Sequence, residues 1–355
     1  MSKKVRILSL DGGGIRGIIP ATVLEYVEKQ LIEKTNNPNA RLADFFDIIV
    51  GTSTGGILAC FYLTPNPENG VNTPSSKYIA SQALELYSKK GKLIFTDAKK
   101  HPWFGLRQLF NATRFSAKNI EKILEEEFGN LKFSNLIKPC VVTTYDMNKQ
   151  SSFFFNSREK KDKKRNFYLK DVARSTSAAP TYFPPAIIKN IATNKLMINL
   201  DGGVFANNPA MCAFAECRNT IFEQKKYPNA NDMLFLSIGT GGGQLRFPKI
   251  LKVGFWDVIK WAKAAPDIMM DGSIDTVDYQ MKQIFGTFNG NPQFNYKRID
   301  VPLDKRHYDT DMSNASDKNI KALKEAGKEA LNDALQESEY SYGLDHFINQ
   351  LIENG

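Results

Sequence analysis

Two glycine-rich turns, each entered from an apolar strand-like run and left through an apolar helix-like run, fall within the first sixty-odd residues and constrain the fold more than anything else in the chain. Residues 5–10 (Val-Arg-Ile-Leu-Ser-Leu) are aliphatic and β-branched, which reads as a strand. Asp11-Gly-Gly-Gly-Ile-Arg-Gly17 follows, and then a helix over 19–34 with apolar residues at Val23, Leu24, Val27, Leu31 and Ile32. Residues 45–50 form a continuous apolar run, the pattern of a strand buried on both faces. That run leads into Gly51-Thr-Ser-Thr-Gly55 and an apolar helix through 57–63. Strand, helix, strand, helix in this order predicts an α/β fold with a parallel core.

Further strands are expected at 139–145, 152–156, 195–200 and 233–238, and helices at 78–90, 119–128, 169–177, 210–224 and 319–337. The stretch 64–76, rich in Pro, Asn, Gly and Ser, reads as an exposed loop. No repeat, low-complexity tract or linker divides the chain, and 355 residues suit one elaborated domain. The expected organisation is therefore a single domain over 1–355, with a core in 1–243 and a cap or C-terminal region in 244–355. Within the latter, Trp256 and Trp261 lie close together in a cap, interface or packing segment.

Composition narrows the classes. The longest clean apolar run, 57–63, is far short of the ~18 residues a membrane span needs. Lys3, Lys4 and Arg6 precede an apolar stretch that stops at Asp11, so no signal peptide is expected. Cys60, Cys140, Cys212 and Cys217 lie far apart and only three histidines occur, which fits a reduced cytoplasmic protein with no metal site. The balance of 47 Lys+Arg against 38 Asp+Glu gives +9, a surface that attracts anions. The densest basic run, 158–165, is interrupted by acids and lacks aromatics, so it reads as a solvated loop; DNA and RNA are not expected partners.

Gly51-Thr-Ser-Thr-Gly55 matches G-x-S-x-G, which arises by chance in roughly one chain of this length in ten. The strand before it and the helix after it supply the setting of a nucleophile elbow, with Ser53 as the nucleophile. The competing reading is a serine that caps a helix. Three consecutive glycines at Gly12, Gly13 and Gly14 leave backbone N–H groups open toward a bound anion, with Arg16 to anchor the loop or add charge. Gly12-x-Gly14-x-x-Gly17 also satisfies the dinucleotide fingerprint, but that reading needs an acid at the end of the second strand. Glu33 has the spacing and falls in the helix, while the second strand ends at Gly51 without an acid. Ser53 requires a base. Asp201, in the Asp201-Gly-Gly turn after a strand, is one candidate; the order Ser53, Asp201, then His307 or His346 also permits a triad.

These blocks together resemble the patatin-like phospholipases. Asp11–Gly17 is similar to the family's oxyanion loop and Gly51–Gly55 to its nucleophile elbow. Arg174-Ser-Thr-Ser-Ala-Ala-Pro-Thr-Tyr-Phe-Pro184, Asp201-Gly-Gly-Val-Phe-Ala-Asn-Asn-Pro209 and Leu236-Ser-Ile-Gly-Thr-Gly241 are similar to the blocks before, at and after its catalytic aspartate. The resemblance spans most of 5–243 and implies a three-layer α/β/α fold with a largely parallel central sheet. It also implies a Ser53–Asp201 dyad without histidine, Gly12, Gly13, Gly14 and Arg16 at the oxyanion hole, and no cofactor. The implied activity is hydrolysis of glycerophospholipid acyl esters, by a cytoplasmic enzyme peripheral at the membrane when active. Stand-alone members include antiphage effectors activated by a cyclic dinucleotide, which makes such a nucleotide a candidate activator. The alternative is a non-catalytic lipid-binding protein that keeps the fold.

Overall fold

In a computed structural model, the structure describes residues 3–68, 74–96, 113–159, 162–241, 258–289, 295–301, 307–336 and 342–355, with the backbone alone described at 258–267 and 287–289. In chain order the strands are β1 (Val5–Leu10), β2 (Ile48–Gly51), β3 (Cys140–Asp146), β4 (Ser151–Asn156), β5 (Ala186–Lys189), β6 (Leu196–Asp201), β7 (Met233–Ile238) and β8 (Tyr296–Ile299). The helices are α1 (Ile18–Thr35), α2 (Leu42–Phe45), α3 (Thr54–Tyr62), α4 (Ala80–Glu85), α5 (Gly91–Ile94), α6 (Lys118–Phe128), α7 (Leu169–Thr176), α8 (Gly203–Ala206), α9 (Ala210–Arg218), α10 (Val258–Asn289), α11 (Asp317–Leu335) and α12 (Leu344–Glu353).

Strand β1 is buried throughout and is paired in parallel with β2 on one edge and β7 on the other. Parallel pairing continues from β2 to β3 and from β7 to β8, while β4, β5 and β6 join antiparallel. Alternate residues of the central strands point to opposite faces, as the two-residue strand period requires. Leu8, Leu10, Ile49, Val142, Leu234 and Leu236 pack under one helical layer that includes α1, α3, α7, α11 and α12. Val5, Ile7, Ile48, Val50, Val141 and Phe235 pack under the other, formed by α9 and α10. Both faces are therefore covered, and the apolar runs read from the sequence are the consequence. Each fully buried aliphatic side chain in this sandwich contributes roughly 1.5–3 kcal/mol.

The feature that positions the site is the way β3 is shared. One edge of β3 pairs with β4 along 141–146. The opposite edge is divided: Cys140–Val142 takes β2 in parallel, and Thr144–Asp146 takes β6 antiparallel. The ends of β2 and β6 thus run toward each other along one edge, with Gly51 opposite Val142 and Asp201 opposite Thr144.

Several boundaries depart from the sequence expectations. The run at 45–50 yields a strand only from Ile48, because Asp44 accepts the Arg41 N–H at 2.8 Å and closes the turn of α2 first. The helix expected over 210–224 stops at Arg218, where the Asn219 and Thr220 N–H groups bond back into the last turn and a bridge between Ile221 and Lys226 reverses the chain. The helix expected at 78–90 is broken by a π turn at Leu86–Lys90 before α5. Strands β5 and β8 and helix α10 were not read from the sequence at all.

The C-terminal third is woven into the core. Strand β8 extends the sheet beside β7, α10 covers one face, and α11 and α12 pack on α1. Trp256 lies outside the described residues, and Trp261 falls in α10 where only the backbone is described. Among the described residues no helix is long and apolar enough to cross a membrane. All four cysteines are free thiols, three of them buried.

Helices α1 and α11 approach closely at Gly327, where an added Cβ would lie 2.8 Å from Cβ of Thr22. Helix propensity favours replacing this glycine by about 1 kcal/mol, whereas overpacking costs about 1–3 kcal/mol. Gly327→Val is therefore expected to lower unfolding stability by a net of up to about 2 kcal/mol, read from the midpoint of urea unfolding at unchanged slope.

Candidate active site

Between β2 and α3 the chain turns at Ser53 with φ 53° and ψ −122°, a conformation that costs a non-glycine residue on the order of 1–3 kcal/mol. The surroundings hold it there. A Cβ on Gly55 would lie 2.2 Å from the Leu10 carbonyl oxygen, so only glycine lets the start of α3 press against the end of β1. The Ser53 N–H donates to Thr176 Oγ1 at 2.8 Å. Thr52 Oγ1 donates to the Ala206 carbonyl at 2.7 Å. The Tyr87 hydroxyl accepts from Thr54 Oγ1 and donates to the Thr54 carbonyl. The turn is thus bonded to α7, to the segment after β6 and to the π turn, three elements distant in sequence.

Asp201 closes β6 and is 1% exposed, beside Ser53 at 6%. Its Oδ1 accepts the Gly203 N–H at 2.7 Å, and its own N–H donates to the Ala178 carbonyl at 3.0 Å. Burial pushes its carboxyl up to about 7, against the Ser53 hydroxyl, the Gly203 N–H and the charge of Arg174, all of which favour the ionised form. Oδ2 is buried with no hydrogen bond of normal geometry among the described residues. An unpartnered carboxylate oxygen beside a hydroxyl is a proton acceptor in waiting. Arg174, whose Nη2 donates to the Pro184 carbonyl at 2.7 Å, is held in place by Glu121 on α6.

The glycine loop lies on the other side of Ser53. An added Cβ on Gly12 would fall 3.1 Å from the Ser53 Cβ and 2.2 Å from Asn207 Oδ1. The Gly12 N–H is already donated to the Asn207 carbonyl at 2.9 Å. The N–H groups of Gly13, Gly14 and Thr54 have no acceptor among the described residues. Their directions are fixed through the carbonyls of the same peptides, because a trans peptide points C=O and N–H oppositely. Thr240 Oγ1 binds the Gly12 carbonyl at 2.6 Å and so orients the Gly13 N–H. The Arg16 backbone N–H and Nε bind the Gly13 carbonyl at 3.1 and 3.3 Å and orient the Gly14 N–H. Arg16, 3% exposed, thus anchors the loop from behind. Gly14 sits at φ +58° against the Met312 carbonyl, which receives the Ile15 N–H at 2.9 Å. At the root of the loop, Asp11 is gripped by both nitrogens of Arg298 at 3.0 and 2.6 Å. Burial works against the Arg298 charge, but attraction from Asp11 and Asp300 holds its pKa well above the ordinary value.

A narrow apolar cavity of about 60 Å³ opens on Ser53 and Gly14, walled by Ile57, Ile94, Phe95, Phe183 and Met270 among others. His307 is exposed, and His346 on α12 stacks on Tyr342 with ring centroids 3.9 Å apart. Neither is among the groups acting on Asp201. Glu33 lies exposed on α1, on the helix where the sequence put it and away from any strand end. Among the described residues no cluster of metal-ligating side chains occurs.

Sequence reasoning brought forward Ser53, Asp201, the three glycines and Arg16, which the structure gathers in one place. It missed Thr176, Tyr87, Thr240, Arg298 and Asn207, which hold them. Thr176, Asn207 and Thr240 did lie inside blocks the sequence singled out, though without a role, whereas Tyr87 and Arg298 lay in none; the Asn207 side-chain oxygen and nitrogen are both buried without partners among the described residues.

An α/β sheet with a strained serine turn, a buried carboxylate beside it and a glycine loop facing both defines a class of hydrolase-like sites. Comparison with known proteins narrows that class. The family model described as "Patatin-like phospholipase" matches residues 8–214. Patatin-like protein 2 of Oryza sativa subsp. indica is 31% identical over 84% of this chain and 76% of its own length. Patatin-like protein 3 of Arabidopsis thaliana is 31% identical over 99% and 86%, and Patatin-17 of Solanum cardiophyllum 30% identical over 99% and 91%. The chain belongs to the patatin-like phospholipase family, and membership supports lipid acyl hydrolysis as its activity.

The Asp201 carboxyl has a measurable signature. Its folded pKa of about 7 lies above the ordinary aspartate value of 3.8, so the native state opposes its ionisation. That penalty is absent below about pH 4, grows as pH rises toward 7 and is complete above it. Asp201→Asn is expected to remove it: the variant's stability relative to wild type should increase from pH 4 to pH 8, by up to about 4 kcal/mol. Denaturant unfolding at the two pH values reads the difference, and a gap independent of pH would place the Asp201 pKa near its ordinary value.

Proposed function

We propose that this protein is a phospholipase of the A type, cleaving acyl esters of glycerophospholipids through a Ser53–Asp201 dyad. The observation that carries the reading is the buried Asp201 carboxylate beside the Ser53 hydroxyl, with no other partner for Oδ2 among the described residues, where the serine is held on a strained turn at the mouth of an apolar cavity. Ser53 Oγ attacks the ester carbonyl carbon as its proton passes to Asp201, and the carbonyl π pair moves onto oxygen. That oxyanion is received by the Gly13 and Gly14 N–H groups, with the Thr54 N–H at the start of α3 adding the positive end of a helix dipole. The Gly12 N–H, already donated to Asn207, serves the loop's shape instead. Collapse expels the lysophospholipid alkoxide, which takes the proton from Asp201 and leaves an acyl group on Ser53. Water then attacks the acyl-enzyme with Asp201 as base, releasing fatty acid and returning the proton to Oγ. The acyl chain is directed toward Ile57, Phe95 and Phe183.

A free aspartate at its usual pKa is a weak base for an alcohol, and burial is the remedy: the raised Asp201 value brings the acceptor nearer to the hydroxyl it must deprotonate. No histidine is required in this scheme.

Fatty-acid release from mixed phospholipid vesicles by wild type, Ser53→Ala and Asp201→Asn tests the dyad. Both variants are expected to lose on the order of 10³–10⁴-fold in kcat. An active Asp201→Asn enzyme would replace the dyad with another base, and vesicle binding without release by wild type would favour the non-catalytic lipid binder. For wild type, kcat/KM should rise with pH through an apparent pKa of about 7, since the ionised carboxylate is the base. Running the assay with and without cyclic dinucleotides tests whether the enzyme is a nucleotide-activated effector.

A further inference from the structure

The hairpin β5–β6 is apolar on both faces, yet only one is covered. Ala186, Ile188 and Met197 are buried in the main core. Opposite them, Ile187 is 67% exposed, Leu196 65% and Met147, at the end of β3, 42%. These three are not scattered. Ile187 pairs with Ile198, whose carbonyl accepts the Met147 N–H at 2.8 Å, and Leu196 pairs with Lys189. Paired strand residues share a face, so Met147, Ile198, Ile187 and Leu196 form one apolar stripe across three strands. An antiparallel strand with one solvated face alternates apolar with polar residues; this hairpin does not.

The stripe lies at the active-site end of the sheet. Strand β3 continues four residues past Val142, the partner of Gly51, and therefore roughly 13 Å beyond the end of β2. Strand β6 runs back from that far end to Asp201. The turns at 147–150 and 190–195 consequently project on the side from which substrate must come.

Charge identifies what covers the stripe. Residues 147–155 and 186–200 contain no Asp or Glu and carry Lys149, which reaches back to the buried Asp146 at 3.4 Å, together with Lys189 and Lys195. Lys189 and Lys195 are exposed and have no carboxylate partner among the described residues. Protein interfaces are enriched in Trp, Tyr and Arg and depleted in Lys, whereas aliphatic side chains rimmed by lysines suit the boundary of an anionic bilayer. Lysine stems lie along the apolar region while their ammonium groups reach the phosphates.

We infer that the exposed face of the β5–β6 hairpin, with Met147, docks this protein on anionic lipid bilayers and presents the Ser53 cavity to the membrane. The inference rests on the phospholipase reading for its purpose but not for its test. Binding is read by flotation with phosphatidylcholine vesicles with and without phosphatidylglycerol, in the Ser53→Ala background so that no lipid is consumed. Turnover is read in the active enzyme on those vesicles and on dissolved p-nitrophenyl butyrate. Wild type should bind the anionic vesicles more tightly and lose that preference in high salt. Ile187→Asp with Leu196→Asp should weaken vesicle binding and vesicle hydrolysis at least about tenfold. Lys189→Glu with Lys195→Glu should weaken both by about tenfold, on anionic vesicles only. Neither pair touches the active site, so dissolved-ester turnover and melting temperature should hold. Unchanged vesicle binding by the Ile187/Leu196 variant would overturn the inference. So would a shift from dimer to monomer in that variant, which would assign the face to a second copy of the chain. If wild type hydrolyses neither substrate yet binds anionic vesicles through the hairpin, the docking surface stands and the hydrolase reading falls.

Discussion

The division of one edge of β3 between two strands is the constraint on which the site depends. Because β2 arrives in parallel and β6 antiparallel, their ends converge, and no loop has to carry Ser53 toward Asp201 across open space. The backbone pairing sets the separation between Ser53 and Asp201, and sheet hydrogen bonds are among the least mobile distances a fold offers. Thr52 and Thr143, whose hydroxyls meet at 2.7 Å, stitch the junction at the point where β2 ends and β6 begins to pair.

The glycine loop is controlled through its carbonyls. Thr240, after β7, and Arg16, in the loop itself, hold the carbonyl sides of two successive peptides and leave the N–H sides turned away from them. The loop's root is held by Arg298 on β8, and its apex rests on the Met312 carbonyl. The described part of the C-terminal third therefore acts on the candidate site by fixing where the backbone donors point. A buried ion pair such as Asp11–Arg298 is poor evidence for stability, since desolvation offsets much of the attraction. Its bidentate geometry, bridging β1, β7 and β8 through Asp11, Ser237 and Asp300, fits a role in fixing register.

Burial gives the site its chemistry and its cost together. The same desolvation that raises the Asp201 pKa leaves Oδ2, both polar atoms of the Asn207 side chain and Arg174 Nη1 buried with no hydrogen-bond partner of normal geometry among the described residues. Where most buried polar atoms are bonded, a cluster of unpaired ones around a strained serine marks a place where stability has been given up, the pattern expected of a functional site. The uncovered apolar face of β5–β6 breaks the patterning rules in the opposite sense, by leaving apolar groups in water.

The sequence by itself determined the class of fold and singled out the candidate site residues. Strands β1 and β7 were legible to the residue and α1 and α11 within two, because burial on both faces or on one helical stripe writes a periodic signal. Ser53 and the three glycines were legible because a turn that admits no Cβ leaves glycine at fixed offsets. What only the tertiary structure decided were the partners. Thr176, Tyr87, Thr240 and Arg298 act through one to three hydrogen bonds or ion pairs made across more than thirty residues of chain, and so few long-range contacts leave no periodicity to read. Strands β5 and β8, four residues each, are too short to show alternation. The nearness of Asp201 to Ser53 likewise belongs to the sheet: two strands meeting on β3 place the carboxylate beside the serine, and no local pattern in either strand encodes that meeting.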